Sequence, residues 1–130
     1  MIVDSSVIVA ILSAESEARA FAKAIDEADH CRFSVVNYVE AAIVLDSRRD
    51  AALSRRFDAL MRESQVRFEP VTVEQAKLAR EAYRDYGKGR HRAGLNLGDC
   101  FAYALAKEKG EPLLFKGEDF RKTDVEVAEY

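Results

Sequence analysis

Four short apolar runs along the chain are separated from one another by segments with helical periodicity. The runs span residues 1–3, 31–36, 66–71 and 112–115. None is joined to the next by the two-residue turn of a hairpin, so the connections are crossovers, and crossovers join parallel strands. The pattern therefore predicts a three-layer α/β fold, in which helices cover both faces of a central, largely parallel sheet.

Helical patterns fill the segments between these runs. Ser5 and Ser6 are expected to cap a first helix that ends at Leu12, and a second helix is expected over residues 15–28. Asn37 is expected to begin a third helix after the second strand. A fourth helix precedes the third strand.

The last two helices have clear start and stop signals. Thr72 and Gln75 make a capping box for a helix that Gly87 stops, and Asn96 starts another that ends at Gly110. Side chains at helical spacing predict the buried face of the former: Val73, Ala76, Ala79, Tyr83 and Tyr86. The segment between Gly87 and Asn96 is basic and glycine-rich, which predicts a loop.

The charge balance excludes one class of function. The 130 residues include 20 Lys and Arg against 23 Asp and Glu, and the formal net charge of −3 argues against a protein that coats nucleic acid by bulk electrostatics. The longest apolar run, residues 7–12, is far shorter than the roughly 20 residues of a membrane span. Because the chain starts without a secretory signal, we expect a cytoplasmic protein with Cys31 and Cys100 as buried, reduced thiols.

Several common catalytic devices are absent from the sequence. There is no Walker-type phosphate loop and no GxGxxG motif. The only histidines, His30 and His91, belong to no HExxH motif or Cys/His cluster, which argues against a zinc site. A Ser-His-Asp triad would have to use one of these two histidines, and His91 in a basic loop is a poor general base.

Carboxylates lie instead where the elements meet. Five of them follow a strand or lie one turn into a helix that starts after a core segment: Asp4, Glu40, Asp99, Glu118 and Asp119. In a parallel sheet such positions meet at the carboxyl edge, where ligands collect. For any one acid taken singly, a structural role at a helix start is the better explanation, as in Asn96-x-x-Asp99. The combination favours a shared site.

Taken together, these acids predict a divalent metal site. Two carboxylates about 4 Å apart repel each other by roughly 4 kcal/mol at an effective dielectric constant near 20, so a cluster is costly unless cations neutralise it. Lys116 is the nearest lysine in sequence, and it can pair with at most one or two acids. Oxygen ligands without Cys or His select Mg²⁺ or Mn²⁺, which activate water and polarise phosphates, so phosphodiester hydrolysis is the predicted reaction.

The basic loop has a predicted role in binding the substrate. Three of its cations, Lys88, Arg90 and Arg92, are predicted to bind the phosphates on either side of the scissile bond. Arg80 and Arg84 on the preceding helix extend the same basic surface. For each residue alone, a solvated surface position is about as good an explanation.

Four ordered segments of the chain resemble a known family. They are the opening MIVDSS, Glu40 on its helix, NLGDC with YALA at residues 103–106, and LLFKGEDF at residues 113–120. In this order they resemble the PIN-domain ribonucleases, specifically the VapC-type toxins of bacterial toxin–antitoxin operons. The resemblance implies one PIN domain over residues 1–130, a fifth strand near residues 125–127, and Mg²⁺- or Mn²⁺-dependent cleavage of structured RNA such as tRNA or rRNA.

The resemblance also implies the metal-binding and catalytic residues. Asp4, Glu40 and Asp99 match the acidic triad of the family, and Asp119 matches its fourth acid. Many members have a Ser or Thr and a second Asp just before that fourth acid, whereas this chain has Lys-Gly-Glu. Glu118 is therefore an alternative for the fourth position.

Further residues and partners follow from the same resemblance. Ser6 matches a hydroxyl residue near the metal and Asn96 a residue that supports the site, and with Lys116 they are candidates for contact with the substrate. A VapB-type antitoxin is the implied inhibitor, and a homodimer is the implied assembly. The antitoxin groove is expected to be lined by apolar residues of segment 36–45 and by Phe57.

Two alternatives remain open from the sequence. A receiver-like phosphoacceptor signalling domain also has a parallel sheet and an acidic Mg²⁺ pocket, with a lysine where Lys116 lies. Its phosphoacceptor Asp would end the third strand, where this chain has Phe-Glu-Pro-Val at residues 68–71. A catalytically silent PIN fold that serves as a binding module would not need the intact set of Asp4, Glu40 and Asp99.

Overall fold

The computed structural model describes residues 1–130 and contains four strands and six α-helices. The strands are β1 (Ile2–Val3), β2 (Cys31–Ser34), β3 (Val66–Glu69) and β4 (Leu113–Leu114). The helices are α1 (Ser5–Leu12), α2 (Ala18–Glu27), α3 (Val35–Asp46), α4 (Ala51–Glu63), α5 (Val73–Tyr86) and α6 (Leu97–Lys109), and a 3-10 turn covers Phe120–Lys122.

All strand pairs in the sheet are parallel, and the strand order is β3-β2-β1-β4. Ile2 lies opposite Leu113 and Val3 lies opposite Leu114, so β1 and β4 run side by side. At least one helix separates each strand from the next in sequence. The predicted three-layer α/β fold is therefore confirmed, and the carboxyl ends of β1 and β4 are neighbours.

The alternation of side chains along the strands gives the sheet two buried faces. Ile2 and Leu113 belong to one apolar cluster with α5 and α6, whereas Val3 and Leu114 belong to a second cluster with α1 to α4. Since successive strand residues point to opposite faces, even a two-residue strand contributes to both cores. The ends of β1 and β4 are thus held firmly between two packed layers.

Two helices begin earlier than the sequence predicts. Asp4, rather than Ser5 or Ser6, caps α1: its carboxylate accepts a hydrogen bond from the Ser6 backbone, and Ser5 is the first helical residue. Ser34 caps α3, so Asn37 lies in the first turn of that helix and not at its start. Because Asp, Ser and Asn are all favourable N-caps, local preference alone does not distinguish these starts.

The buried face of α5 also differs from the predicted one. Val73 is 70% exposed and Tyr83 is 43% exposed, whereas Gln75, Ala79 and Ala82 are buried. Because α5 packs mainly against α6, it buries a face with small side chains that allow the two helices to approach closely. The sequence pattern therefore predicted the helix and part of its packing face, Ala79 and Tyr86, but wrongly included Val73 and Tyr83.

A continuous fifth strand does not form. Val127 makes a single parallel bridge to Leu113, with backbone bonds of 2.8 Å from Leu113 N to the Glu126 carbonyl and 2.9 Å from Ala128 N to the Leu113 carbonyl. The C-terminal segment thus covers the β4 edge of a four-stranded sheet.

The structure also describes the environment of both cysteines and the length of every helix. Cys31 and Cys100 are buried free thiols, as predicted, and the structure places them on opposite faces of the sheet. The longest helix, α5, has 14 residues, and no helix combines the length and the apolar character that crossing a bilayer requires.

Candidate functional site

Asp4 lies at the carboxyl end of β1, where the chain turns into α1. The residue is only 3% exposed. Its Oδ2 accepts a hydrogen bond from the Ser6 backbone at 3.0 Å, but its Oδ1 is buried without a hydrogen-bond partner. Burial raises the pKa of Asp4 from 3.8 to about 6, opposed by the hydrogen bonds from Ser6 and reinforced by the charge of Glu40. An unpaired buried carboxylate oxygen of this kind is unfavourable for folding.

Glu40 reaches the same place from α3. Its Oε1 accepts a hydrogen bond from the Ser5 hydroxyl and lies 3.4 Å from Asn37 Nδ2. Asn37 Nδ2 also donates to the backbone carbonyl of Gly98 at 3.0 Å, in the first turn of α6. A methyl group at position 98 would overlap the Glu40 carboxylate, so this side chain lies directly against the start of α6.

Asp99 lies in the first turn of α6 and forms the predicted capping box with Asn96. The Asn96 side chain accepts from Asp99 N at 2.9 Å, and Asp99 Oδ2 accepts from Asn96 N at 3.0 Å. Capping explains the conformation of Asp99 but not the pKa of its carboxyl group. Burial raises the pKa of Asp99 from 3.8 to about 7, against the hydrogen bond from Asn96. The charges of three other acids raise it further: Asp4, Glu40 and Asp119.

Of the two acids that follow β4, Asp119 is the one whose charge acts on Asp99. It is exposed just before the 3-10 turn, and its charge contributes to the raised pKa of Asp99. Glu118 points instead to Arg121, whose Nε lies 3.6 Å from Glu118 Oε2. Asp119 is therefore the better candidate for the fourth acid. We refer to the four acids as the acidic cluster: Asp4, Glu40, Asp99 and Asp119.

No cationic side chain forms an ion pair with the acidic cluster. Lys116 pairs instead with Glu15 at 2.9 Å and Glu17 at 3.3 Å, in the connection between α1 and α2. Its backbone N–H donates to Ser6 Oγ at 3.0 Å, which ties the end of β4 to α1. The protein thus leaves its acids without an internal counter-charge.

The chemistry of the acidic cluster fits a hard divalent cation. All of its donor atoms are carboxylate oxygens, which Mg²⁺ and Mn²⁺ prefer, and one of them is the unpaired Oδ1 of Asp4. No group of three or more His, Cys, Asp or Glu side chains is already arranged around a common metal position. Because Mg²⁺ commonly uses one or two carboxylates and retains several waters, the residues fit it as an open site rather than a closed cage.

The predicted basic loop follows α5 and leads directly into α6. Its three candidate substrate-binding cations are all exposed: Lys88, Arg90 and Arg92. A backbone bond of 2.9 Å from Lys88 N to the Leu95 carbonyl closes the loop, and the Arg90 guanidinium lies 5.5 Å from the centre of the Tyr83 ring. The loop is therefore an ordered basic surface next to the helix that contains Asp99.

Three residues that touch Glu40 are not among the site residues predicted from the sequence. Ser5 donates to it, Asn37 lies within hydrogen-bond distance, and Gly98 leaves room for its carboxylate. The available signal for Asn37 is an uncharged polar residue in a largely apolar helix, one turn before an acid. Gly98 has only the weaker signal of a glycine inside a helix, where alanine is favoured by roughly 1 kcal/mol.

An apolar groove opens beside the acidic cluster. It has a volume of about 710 Å³ and lies between α3 and the start of α6. Val39, Ile43 and Leu97 are exposed along it, Leu97 to 72%, and Glu40 is the only charged residue in its lining. Phe57, expected from the resemblance to line such a groove, is buried and stacks on Tyr38. That part of the expectation is wrong, because α4 packs its aromatic side chain into the core.

Comparison with known proteins identifies the class to which this fold and site belong. The sequence pattern of the PIN domain matches residues 1–126. Ribonuclease VapC28 of Mycobacterium tuberculosis is 54% identical over 129 residues, which cover 98% of this chain and 97% of that protein. The chain therefore belongs to the PIN-domain family and, within it, to the VapC ribonucleases.

Solved structures share the fold at low sequence identity. VapC20 of Mycobacterium tuberculosis, described as a sarcin-ricin loop cleaving toxin, has a TM-score of 0.78 at 17% identity, over 98% of this chain and 97% of that one. VapBC2 from Rickettsia felis, bound to a DNA fragment from its promoter, gives a TM-score of 0.75 at 8% identity, over 98% and 96%. Membership of the PIN family sets the receiver-like alternative aside.

Proposed function

We propose that the protein is a Mg²⁺- or Mn²⁺-dependent endoribonuclease toxin that hydrolyses phosphodiester bonds in structured RNA, such as tRNA or rRNA. One observation carries the proposal: Asp4 is buried at the end of β1 with an unpaired carboxylate oxygen, among other acids and without a protein cation. Perturbed acids grouped in this way are typical of functional sites. The relatives named ribonucleases, and the description of VapC20, support RNA as the substrate.

The acidic cluster supplies the proposed metal ligands. Asp4, Glu40 and Asp99 are the main ones, and Asp119 is the fourth. Asn96 orients the Asp99 carboxylate through the capping box. Burial and mutual repulsion favour the protonated forms of Asp4 and Asp99, so these residues remain ionised most easily beside a cation. A bound Mg²⁺ or Mn²⁺ would polarise the phosphodiester and activate a water.

The basic loop is the proposed binding surface for the phosphates that flank the scissile bond. Arg90, Lys88 and Arg92 are exposed and lie on the segment that leads into α6. Lys116 is a less direct candidate, because a phosphate would have to replace Glu15 and Glu17 as its partner. These cations bind the RNA backbone, so their contribution does not depend on base sequence.

A VapB-type antitoxin is the proposed inhibitor, and the apolar groove is its proposed docking surface. An apolar segment would cover Val39, Ile43 and Leu97, and a basic side chain within it would meet Glu40. The VapBC2 structure supports a toxin–antitoxin pair. Ile43→Asp is expected to weaken binding of the co-expressed antitoxin while RNA cleavage by the free protein persists. Unchanged affinity would contradict this docking surface.

A cytoplasmic homodimer is the proposed state of the protein. This part of the proposal follows from the family resemblance. Sedimentation equilibrium of the purified chain, alone and with its antitoxin, tests it, and a monomer in both samples would contradict it.

The test of the main proposal is RNA cleavage with and without the metal. Metal-stripped protein is incubated with tRNA and rRNA transcripts in Mg²⁺, Mn²⁺ or EDTA, and Asp4→Asn is compared with Asp29→Asn, an exposed acid before β2. Asparagine keeps the capping acceptor at position 4, so the fold is expected to persist in urea unfolding. Cleavage is expected only with a metal ion, and only in the wild type and Asp29→Asn.

Three results would contradict this function. Cleavage by Asp4→Asn, or by the wild type in EDTA, would remove the metal-dependent mechanism. Absence of cleavage by the wild type with either ion would favour the silent binding module instead.

A further inference from the structure

We propose that Asn37 is a positioning residue that, together with Gly98, orients the Glu40 carboxylate toward the other acids; this inference rests on the metal-dependent function proposed above. Asn37 touches neither the substrate nor the metal in this role. It acts through Glu40, which is the member of the acidic cluster with the longest side chain. Neither the sequence pattern nor the family resemblance assigns Asn37 this role.

The first support is the geometry of the Asn37 amide. Asn37 is fully buried, and its Nδ2 donates to the Gly98 carbonyl at 3.0 Å while lying 3.4 Å from Glu40 Oε1. Residues three apart on a helix lie on the same face, so Glu40 is directly above Asn37 on α3. The amide orientation is defined, because a carbonyl can accept a hydrogen bond only from the NH₂ side.

The second support is that Asn37 is a poor choice for stability alone. Its Oδ1 is buried and has no hydrogen-bond partner. Burying a polar atom without a partner is unfavourable, and an apolar side chain of similar size would avoid that penalty. Gln75 has the same unpaired oxygen, so the partners of the NH₂ group are what distinguish Asn37: this group bonds the Gly98 carbonyl and lies beside Glu40, a member of the acidic cluster.

The third support comes from Gly98 on the opposite side of the carboxylate. A Cβ atom at position 98 would overlap the carboxylate of Glu40. Gly98 has no positive φ, so its backbone does not require glycine, and alanine would be the better helix former. The absence of a side chain at this position is explained by the close approach of Glu40.

Together, three elements enclose the carboxylate. Ser5 on α1 donates to it, Asn37 on α3 lies beneath it, and Gly98 on α6 admits it. Without the Asn37 amide, Glu40 would be free to turn toward the open groove that it also lines. Residues that orient metal ligands from behind typically change metal affinity or activity by about 10- to 100-fold when they are removed.

The test is Mn²⁺ binding by isothermal titration calorimetry on the full-length, metal-stripped protein without RNA. Asn37→Ala is expected to weaken Mn²⁺ binding by about tenfold and to lower kcat in RNA cleavage. Gln75→Ala is the matched control, because Gln75 is also a buried amide whose NH₂ group bonds a carbonyl and a glutamate, Pro70 and Glu108, and whose oxygen is unpaired. It should lose stability in urea unfolding but keep the Mn²⁺ affinity of the wild type.

Gly98→Ala provides an independent variant that removes no hydrogen-bonding side chain. It is expected to fold and still to weaken Mn²⁺ binding, because the new methyl group displaces Glu40. If Asn37→Ala fails to fold, Gly98→Ala decides the question alone: weaker binding supports the positioning role, and wild-type binding overturns it.

The outcomes separate this inference from the function on which it rests. If the wild type binds Mn²⁺, Asp4→Asn does not, and both Asn37→Ala and Gly98→Ala bind like the wild type, only the positioning role is overturned. It is also overturned if Gln75→Ala loses Mn²⁺ affinity as much as Asn37→Ala does. If the wild type itself binds no Mn²⁺, the proposed function and the positioning role fail together.

Discussion

The acids at the two ends of the parallel sheet have opposite electrostatic environments. The acid at the amino end has cationic partners, whereas the acids at the carboxyl end have none. At the amino end, Glu111 lies before β4 and is paired with two cations. It accepts hydrogen bonds from the Met1 amino group at 2.8 Å and from Arg32 Nε at 2.9 Å, and it lies 3.0 Å from His30 Nε2. Although burial raises the pKa of Glu111, these hydrogen bonds bring it down to about 2.

At the carboxyl end, the acidic cluster has no such partners. Burial raises the pKa of Asp4 to about 6 and that of Asp99 to about 7, and the neighbouring acids add to both shifts. Lys116 is close in sequence but is engaged by Glu15 and Glu17. The same chain therefore neutralises one partly buried acid completely and leaves several others without a cation. A cluster of acids without a cationic partner indicates a functional site at the carboxyl end of the sheet.

The largest effect is expected when one charge is removed from the carboxyl end. Asp99→Asn keeps an acceptor for Asn96 N but removes a proposed metal ligand, so RNA cleavage should fall by at least about a thousandfold, or roughly 4 kcal/mol. The free energy of unfolding in EDTA should not decrease, because repulsion within the cluster is reduced. Cleavage assays and urea unfolding measure both. Asp58→Asn on the exposed side of α4 is the control, and cleavage by Asp99→Asn near the control level would contradict the role.

The comparison also predicts opposite pH dependences of stability in metal-free protein. The raised pKa of Asp4 means that the native state binds this proton more tightly than the unfolded state does. Its stabilising contribution is full below pH 3.8 and is lost as the pH rises through about 6, a loss of roughly 3 kcal/mol. The contribution of Asp99 is lost in the same direction, as the pH rises through about 7.

Glu111 has the opposite sign. Its contribution is present above pH 4.5 and is lost as the pH falls toward about 2. Urea unfolding in EDTA over a pH series should therefore give a maximum at about pH 4 to 5. Asp4→Asn should flatten the fall on the alkaline side, and Mn²⁺ should oppose that fall in the wild type. If the free energy of unfolding of the wild type does not decrease above the pH of maximum stability, the acids at the carboxyl end do not have raised pKa values.

A smaller effect is expected when the amino end loses its acid. Glu111→Gln leaves the Met1 amino group and Arg32 facing a neutral side chain, which should lower the free energy of unfolding at neutral pH by about 2 kcal/mol. RNA cleavage per folded molecule should not change, because Glu111 lies at the other end of the sheet. Glu63→Gln, at an exposed position on α4, is the control. Loss of RNA cleavage in folded Glu111→Gln would contradict the conclusion that only the carboxyl end of the sheet takes part in cleavage.

The smallest effect is expected in the basic loop. Arg90→Ala should reduce RNA cleavage only several-fold. In a plot of the log binding constant for RNA against log salt concentration, it should reduce the magnitude of the slope by about 1, the value for one phosphate contact. Arg62→Ala, at the exposed end of α4, is the control for charge alone. Equal cleavage and equal salt dependence in the two variants would reject the proposed binding surface.

Much of the architecture was predictable because it depends on local signals and chain order. Short apolar runs separated by helices require crossovers, and crossovers require a parallel sheet. Asp4 therefore had to lie at the carboxyl end of β1, and Asn96 and Asp99 had to meet in a capping box only three residues apart. The cap of α3 was not predictable in this way, because several neighbouring residues suit that position equally well.

The sequence by itself determined the sheet, the placement of its acids and the family resemblance. Only the tertiary structure decided which side chains met across long separations. Asn37 contacts Gly98, 61 positions away, and Lys116 contacts Glu15, 101 positions away, because helices and strands from distant parts of the chain pack together. The periodicity of one helix contains no information about the element packed against it. For that reason the presence of the acids was readable from the sequence, whereas their lack of a cation was not.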